Sequence, residues 1–260
     1  MKSANRMISF LLVALMLLAM VGCAATPAAP AAEAAATGGE KPAVAADEKL
    51  DNAIKSSKDT LIVALPSDPA NFDPNDNSIQ MVHAFKKQIY ETLVWRDYEG
   101  NLQPQLAESW EYEDDKTLVF HIRQGVKFHN GDELKASDVL FSLKRCADVP
   151  AASTAVNNVD WDKSQVVDDY TVKIVTKDVY VPQLAYFEWA LTGIFSEKAF
   201  TEAGGDFYKA PIGTGAYKVV DYTAGDNYVL EAFADYWDTG KPYVKNLIFR
   251  VISEAANRTI

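Results

Sequence analysis

The segment from Gln103 to Arg145, QPQLAESWEYEDDKTLVFHIRQGVKFHNGDELKASDVLFSLKR, constrains the fold more than any other, because strand, turn and helix patterns follow one another without filler. In Thr117 to Arg123, Leu118, Phe120 and Ile122 alternate with Thr117, Val119, His121 and Arg123, the period of a strand with one buried face. Asp114-Asp115 supplies the turn before it. After Gly125, the run Val126 to His129 closes on Asn130-Gly131, a dipeptide suited to a type I′ hairpin turn, in which both residues carry positive φ. The period then changes. Ala136, Val139, Leu140 and Leu143 fall at helical spacing and predict a short amphipathic helix laid on that sheet.

Elsewhere the pattern is also mixed α/β. Strands are predicted at Leu61 to Leu65, Thr171 to Thr176 and Leu247 to Ile252, and a hairpin joins Tyr217 to Tyr222 with Tyr228 to Phe233 about Ala224 to Asn227. Helices are predicted at Ile79 to Tyr90 and, behind Pro182 in a first turn, at Val181 to Leu191. Ser253 is a good N-cap for one more helix through Arg258. The sequence stops at Ile260 before any returning element, so a piece of a longer protein is expected.

The amino terminus reads as an address. Lys2 and Arg6 precede an apolar run from Met7 to Val21, and Gly22-Cys23 follows at once, the layout of a secretory signal covering residues 1–22. The run is shorter than the roughly 20 apolar residues a spanning helix needs. Met20-Val21-Gly22-Cys23 resembles a bacterial lipobox with Met in place of the usual Leu, which implies that Cys23 is acylated as the first mature residue. From Cys23 the chain is rich in Ala, Pro, Thr, Glu and Gly, with Val44 the one large apolar residue before Ala46. Such a composition buries too little surface to offset the entropy of ordering, so residues 23–57 are expected to be a lipid-anchored tether. Against 25 Lys and Arg stand 36 Asp and Glu, a net charge of -11, which argues against nucleic acid as a partner. With Cys23 committed to the anchor, Cys146 is a lone thiol, expected to act as a small buried hydrophobe.

Pro104, Leu106 to Glu111, Phe120 to Arg123, Gly125 to Gly131 and Ala136 to Ser142 together resemble the run "P-x-L-A-E-S-W-E … F-x-L-R-x-G-V-K-F-H-D-G … A-x-D-V-x-F-S" of family 5 of the extracellular solute-binding proteins, receptors of oligopeptide and dipeptide ABC importers. Pro211 to Tyr217, then Asp235 to Trp237 and Gly240 to Tyr243, are similar to its "P-V-G-T-G-P-Y … x-Y-W-x-G-K-P-Y" region. Leu61 to Leu65 with Asp68 to Pro74 resembles its first strand and cleft-facing loop. Ala216, Asn130 and Lys135 depart from the family's Pro, Asp and helix-capping Thr; loss of a Thr cap costs about 1 kcal/mol, offset in part by Asp138 near the positive end of the helix.

The resemblance implies an α/β, periplasmic-binding-protein-like fold, the type II two-lobed flytrap, of which this chain holds the first lobe and its appended subdomain. Residues 58–95 and 175–260 would form the lobe and 96–174 the subdomain. It also implies a monomeric receptor on the outer face of the cytoplasmic membrane, at the cell surface or in a periplasm, passing peptides to ABC importer permease subunits. Leu65, Pro66, Ser67 and Asp68 would face the solute, with Trp189 as a stacking surface; the alternative for Trp189 is a buried core residue. Trp95, Trp110 and Trp237 read as core or edge packing, and Trp161 as a subdomain surface or loop residue. The same receptor fold with a non-peptide solute such as a nickel complex, sugar or opine, or with a sensing role, remains the alternative.

No cofactor, metal site or catalytic residue is expected. His83, His121 and His129 are the three histidines, and none stands in H-E-x-x-H or a zinc spacing; both His121 and His129 read as structural. Neither Gly-x-Ser-x-Gly nor Ser-x-x-Lys occurs. Gly213-Thr214-Gly215 lacks the third glycine and following helix of a phosphate loop and reads as a tight turn.

Overall fold

The computed structural model describes residues 59–76 and 80–258. The signal, Cys23 and tether expected at residues 1–57 lie outside the described residues. Two four-stranded sheets and a two-stranded ribbon organise the described part. The strands are β1 Thr60–Leu65, β2 Val94–Arg96, β3 Leu102–Pro104, β4 Ala107–Asp114, β5 Thr117–Ile122, β6 Gln165–Asp168, β7 Thr171–Val175, β8 Tyr217–Thr223, β9 Asn227–Ala232 and β10 Asn246–Val251. The helices are α1 Gln80–Lys86, α2 Ala136–Cys146, α3 Pro150–Ser153, α4 Gln183–Tyr186 and α5 Glu197–Ala203.

β4, β5, β7 and β6 form an antiparallel sheet in that order. β5 is interior to it, which is why its apolar alternation is the clearest in the chain: Leu118, Phe120 and Ile122 are buried, and Thr117 and Val119 are largely covered as well. α2 packs on β6 and β7, burying Ala136, Val139, Leu143 and Cys146. Its N-cap residue, Lys135, makes no side-chain cap. Asp138 substitutes: one carboxylate oxygen accepts from Lys135 N (2.9 Å) and the other from Glu197 N (2.9 Å) at the start of α5. One buried acid thereby satisfies donors at two helix starts.

The other sheet is mixed, in the order β1-β10-β9-β8. β1 runs parallel to β10, from Thr60 opposite Asn246 to Leu65 opposite Val251, and β8 and β9 form the predicted hairpin. β1 is an edge strand, with Leu61 and Ile62 exposed and only Leu65 buried.

Several elements differ from expectation, for local or tertiary reasons. Asn130-Gly131 is not a type I′ turn, because only Gly131 has positive φ (89°). Gly131 N donates to Phe128 O (2.8 Å) and Phe128 N to Asp132 O (2.8 Å), a three-residue loop with glycine in the left-handed position. The run Val126 to His129 contributes one isolated bridge, Lys127 with Glu133. α1 ends at Lys86, short of Tyr90, since the carbonyls of Gln88 and Ile89 accept from Tyr217 N (3.0 Å) and Gly215 N (2.9 Å). That pairing also explains Gly213-Thr214-Gly215. A Cβ on Gly213 would sit 2.1 Å from Ile89 O, and one on Gly215 2.3 Å from Gln88 O, so close approach of two backbones, more than turn geometry, requires glycine at both places. Finally, 181–191 breaks into α4 and a single 3-10 turn at Ala190–Thr192. Phe187 is pulled into the core against Phe120 (ring centroids 5.6 Å), and Trp189 turns extended at ψ 137°.

Candidate functional site

Open α/β sheets present ligand sites beyond the carboxyl ends of their parallel strands, where loops diverge. In this chain that edge is the end of the β1–β10 pair, where Ile252 N donates to Leu65 O (2.8 Å). Leu65 is buried in the core, while Pro66, Ser67 and Asp68 are half-buried. Asp68 Oδ1 accepts from Ala70 N (2.7 Å) and from the Tyr228 hydroxyl. The first bond closes an Asx turn that holds Ala70 at φ 66°. Burial, and then the Asp68 carboxylate, push the Tyr228 phenol up, so it stays a donor. Tyr228 stacks on Tyr222 (5.8 Å, 4°) and meets Phe72 and Phe85 edge-on. The β8–β9 turn closes this edge from the other side: a Cβ at Gly225 would lie 3.5 Å from Asp68 Oδ2, and Asp226 O accepts from Val251 N (2.7 Å).

Beyond this edge, residues 72–76 are held by buried polar bonds. Arg145 grips Asp73 with two bonds of 2.6 Å and also donates to Tyr208 Oη (2.9 Å) and Asn75 Oδ1. Asn75 Nδ2 donates to Leu191 O (2.7 Å), and Tyr90 Oη to Phe72 O (2.8 Å). Lys86, 1 % exposed, donates to the carbonyls of Asp73 and Asp76. Burial lowers its pKa to about 8 against the pull of Asp73 and Asp76. With its own bonds to Ala70 and Tyr228, Asp68 is held in a preset position just ahead of this segment.

Trp189 lies elsewhere, beside α1. It is 39 % exposed, so it is not the buried core residue that was its alternative, and it packs edge-on against Tyr186 (4.5 Å). A cleft of about 490 Å³ opens there, lined by Gln80, His83, Lys87, Glu188, Trp189 and Leu191 among others. A second hollow of about 220 Å³ shares Lys87 and Glu188 with it and reaches Trp95 and Arg96. Arg96 Nε bonds Glu188 Oε1 at 2.7 Å. The sequence reading missed His83, Lys87, Arg96 and Glu188 as wall residues; the His83–Lys87 spacing on one helix face is the signal that could have pointed to two of them. Of the other tryptophans, Trp95 is 42 % exposed, whereas Trp110, Trp161 and Trp237 pack partly buried against the core.

Three motif stretches meet at one buried acid. Glu91 accepts from Tyr236 Oη (2.7 Å), Trp237 Nε1 (2.9 Å), Thr214 Oγ1 (2.9 Å) and Gln105 Nε2 (3.4 Å). Burial raises its pKa and these neutral donors pull it back. His129 secures the same neighbourhood: its Nε2 meets Gly215 O (2.9 Å), and its Nδ1 accepts from Gly213 N (3.4 Å). That pairing defines the neutral tautomer with the proton on Nε2, and burial lowers the ring's pKa to about 4. Among the described residues, no three His, Cys, Asp or Glu side chains gather as a metal site.

Two four-stranded sheets, one of them mixed with β1 parallel to β10, place the chain in the periplasmic-binding-protein fold class. Residues 101–260 match the family described as bacterial extracellular solute-binding proteins, family 5 Middle, and the chain belongs to that family. It is 29 % identical over 201 residues to the glutathione-binding protein GsiB of Escherichia coli K12, an alignment covering 76 % of this chain and 39 % of GsiB. The chain therefore spans about two-fifths of the length of the curated relatives it matches. MoaA of A. tumefaciens R10, solved with mannopinic acid, is similar at TM-score 0.72 and 29 % identity, over 78 % of this chain and 42 % of that one. DppA of Helicobacter pylori, solved with the peptide STSA, is similar at TM-score 0.70 and 26 % identity, over 78 % and 44 %. The α/β, periplasmic-binding-protein-like fold expected from the sequence is the fold found.

Proposed function

We propose that this chain is the solute-capturing portion of a membrane-anchored receptor that collects short peptides outside the cytoplasmic membrane and delivers them to the permease of an ABC importer. The observation that carries the reading is the preset edge at Pro66, Ser67 and Asp68, with Asp68 fixed by Tyr228 and Ala70, in a member of a family of extracellular solute-binding proteins. Asp68 retains Oδ2 as an acceptor for a ligand ammonium or amide, Ser67 supplies a hydroxyl, and Trp189 offers an aromatic face. In this reading residues 58–95 and 175–260 form a lobe and 96–174 its appended subdomain. A solute touching this lobe and a facing one shifts the population toward a closed form, which the importer recognises; no chemistry is performed on the solute. Acylation at Cys23 supplies the anchor and residues 23–57 the tether.

Native mass spectrometry of the mature protein from its own host tests this. Co-purifying short peptides of mixed sequence, and a diacylglyceryl adduct at Cys23, are the expected results. A single non-peptide solute would replace the peptide assignment by an opine-type one, the second reading that likeness to MoaA favours. A chain without the adduct would remove the anchor.

A further inference from the structure

The cleft beside α1 has an unbalanced charge. Its one lining carboxylate, Glu188, is engaged by Arg96 at 2.7 Å and is 16 % exposed on its side chain. Lys87, by contrast, is exposed and lines both hollows. Among the described residues no hydrogen bond or ion pair engages its ammonium. Most of the described lysines have an acid nearby to answer them, as Lys127 has Asp235 and Lys198 has Asp132; Lys87 is among the few that do not, in a chain with a net charge of -11. In the same lining, Trp189 is backed by a short aromatic ladder: Tyr186 at 4.5 Å, itself stacked on Tyr180 at 6.1 Å and 17°. The ladder limits the ways the indole can turn, so its exposed face is a fixed surface. Gln80 adds an amide to the lining, able both to donate and to accept.

An uncompensated ammonium in one cleft with a braced apolar face is complementary to one kind of group, a carboxylate carried on an apolar or amphipathic body. A cationic solute would meet Lys87 with no free acid to offset it, and Glu188 could pair with that solute only by releasing Arg96. We infer that this cleft selects solutes by a carboxylate, held by Lys87 while the adjoining part of the solute lies on Trp189. The inference rests on the solute-receptor reading above and sharpens it to an anionic end group. Lys87 is then a specificity-determining residue, separate from the Asp68 edge that would take an ammonium or amide.

Calorimetric titration of the full mature chain with Ala-Ala-Ala and with its C-terminal amide tests the idea, in wild type and in Lys87→Met, which keeps the stem and removes the charge. In wild type the free acid is expected to bind about tenfold more tightly than the amide, the scale of a hydrogen bond to a charged group. Added salt should narrow that gap. Lys87→Met should erase the gap by weakening the acid and leaving the amide unchanged, with an unaltered circular dichroism spectrum because Lys87 is exposed. Equal binding of acid and amide in both proteins overturns the carboxylate inference and leaves the receptor reading standing. Failure of both forms to bind wild type overturns the two together for peptides.

Discussion

The two sheets are built on cores of different chemistry and different reach. The core under the antiparallel sheet is mostly aliphatic, with Leu106, Leu118, Ile122, Val139, Leu143, Val172 and Ile174 among its members, and its buried residues all come from 93–194. Beneath the mixed sheet lies an aromatic cluster of Phe72, Phe85, Tyr90, Phe195, Phe207, Tyr217, Tyr228 and Phe249, gathered from 65–90 and 195–249. Aliphatic side chains suit a sheet whose strands are neighbours in sequence, since many small contacts close in turn. Rings suit the other: each buries a large area, and edge-on pairs such as Phe85 with Phe249 at 5.1 Å add directional attraction between segments far apart in the chain. The edge at Leu65 to Asp68 belongs to the second core, so its geometry depends on the long-range half of the molecule, whereas Trp189 stands beside Leu191 of the first.

The sharpest way to break this asymmetry is a pair of truncations, Phe85→Ala and Phe120→Ala. Each should lower unfolding free energy in urea by about 4 kcal/mol. Only Phe85→Ala should weaken solute binding, because Phe85 supports Tyr228 and thereby Asp68. Equal loss of binding in both would mean that the cores are not separable. Next in size, Arg145→Met leaves the Asp73 carboxylate without its partner in a site where both side chains are mostly covered. About 3 kcal/mol is expected from breaking such a pair, and hydrogen exchange should accelerate at Asn75 more than in β5.

A pH dependence follows from His129. Its pKa is about 4 in the fold against 6.5 for the free side chain, so below 6.5 the unfolded chain takes up a proton that the folded chain refuses. Stability from this group is complete above about pH 6.5 and is lost as pH falls toward 4, by up to about 3 kcal/mol. Comparing urea midpoints of wild type and His129→Asn at pH 7.5, 5.5 and 4.5 isolates it: the variant should lose less on acidification. The smallest effect is expected from Glu91→Gln, which places amide hydrogens against donors that need an acceptor. A cost of about 2 kcal/mol is anticipated, read as a lower thermal midpoint with binding intact.

What could be read in advance follows the same divide. β5 and α2 were legible because an interior strand and an amphipathic helix imprint a period on contiguous residues. The bond from Tyr228 to Asp68 spans 160 positions and leaves no local trace, and the same holds for Arg145 with Asp73. Glu91 offered a faint one, an acid set among apolar residues in IYETLV, but its four donors come from three separate stretches. At 181–191 the helical spacing was present and misleading, since Phe187 gains more in the core against Phe120 than a continuous helix would allow. The placements of Leu65 to Asp68 and of Trp189 rested on resemblance, and periodicity alone would have marked Leu65 simply as a core residue.

The parallel pairing of β1 with β10 also sets a schedule. These partners stand 186 residues apart, as Thr60 and Asn246 do, and a ribosome adding about 5–20 residues per second takes roughly 10 to 40 s to cover that gap. During that interval β4 to β7 are already available to pair with one another, while the first strand waits, its edge unpaired and Leu61 and Ile62 uncovered. Among the described elements β1 is therefore the most exposed to misassembly and to capture by chaperones in the newborn chain, and the Asp68 edge beside it is among the last parts of this module to come into being.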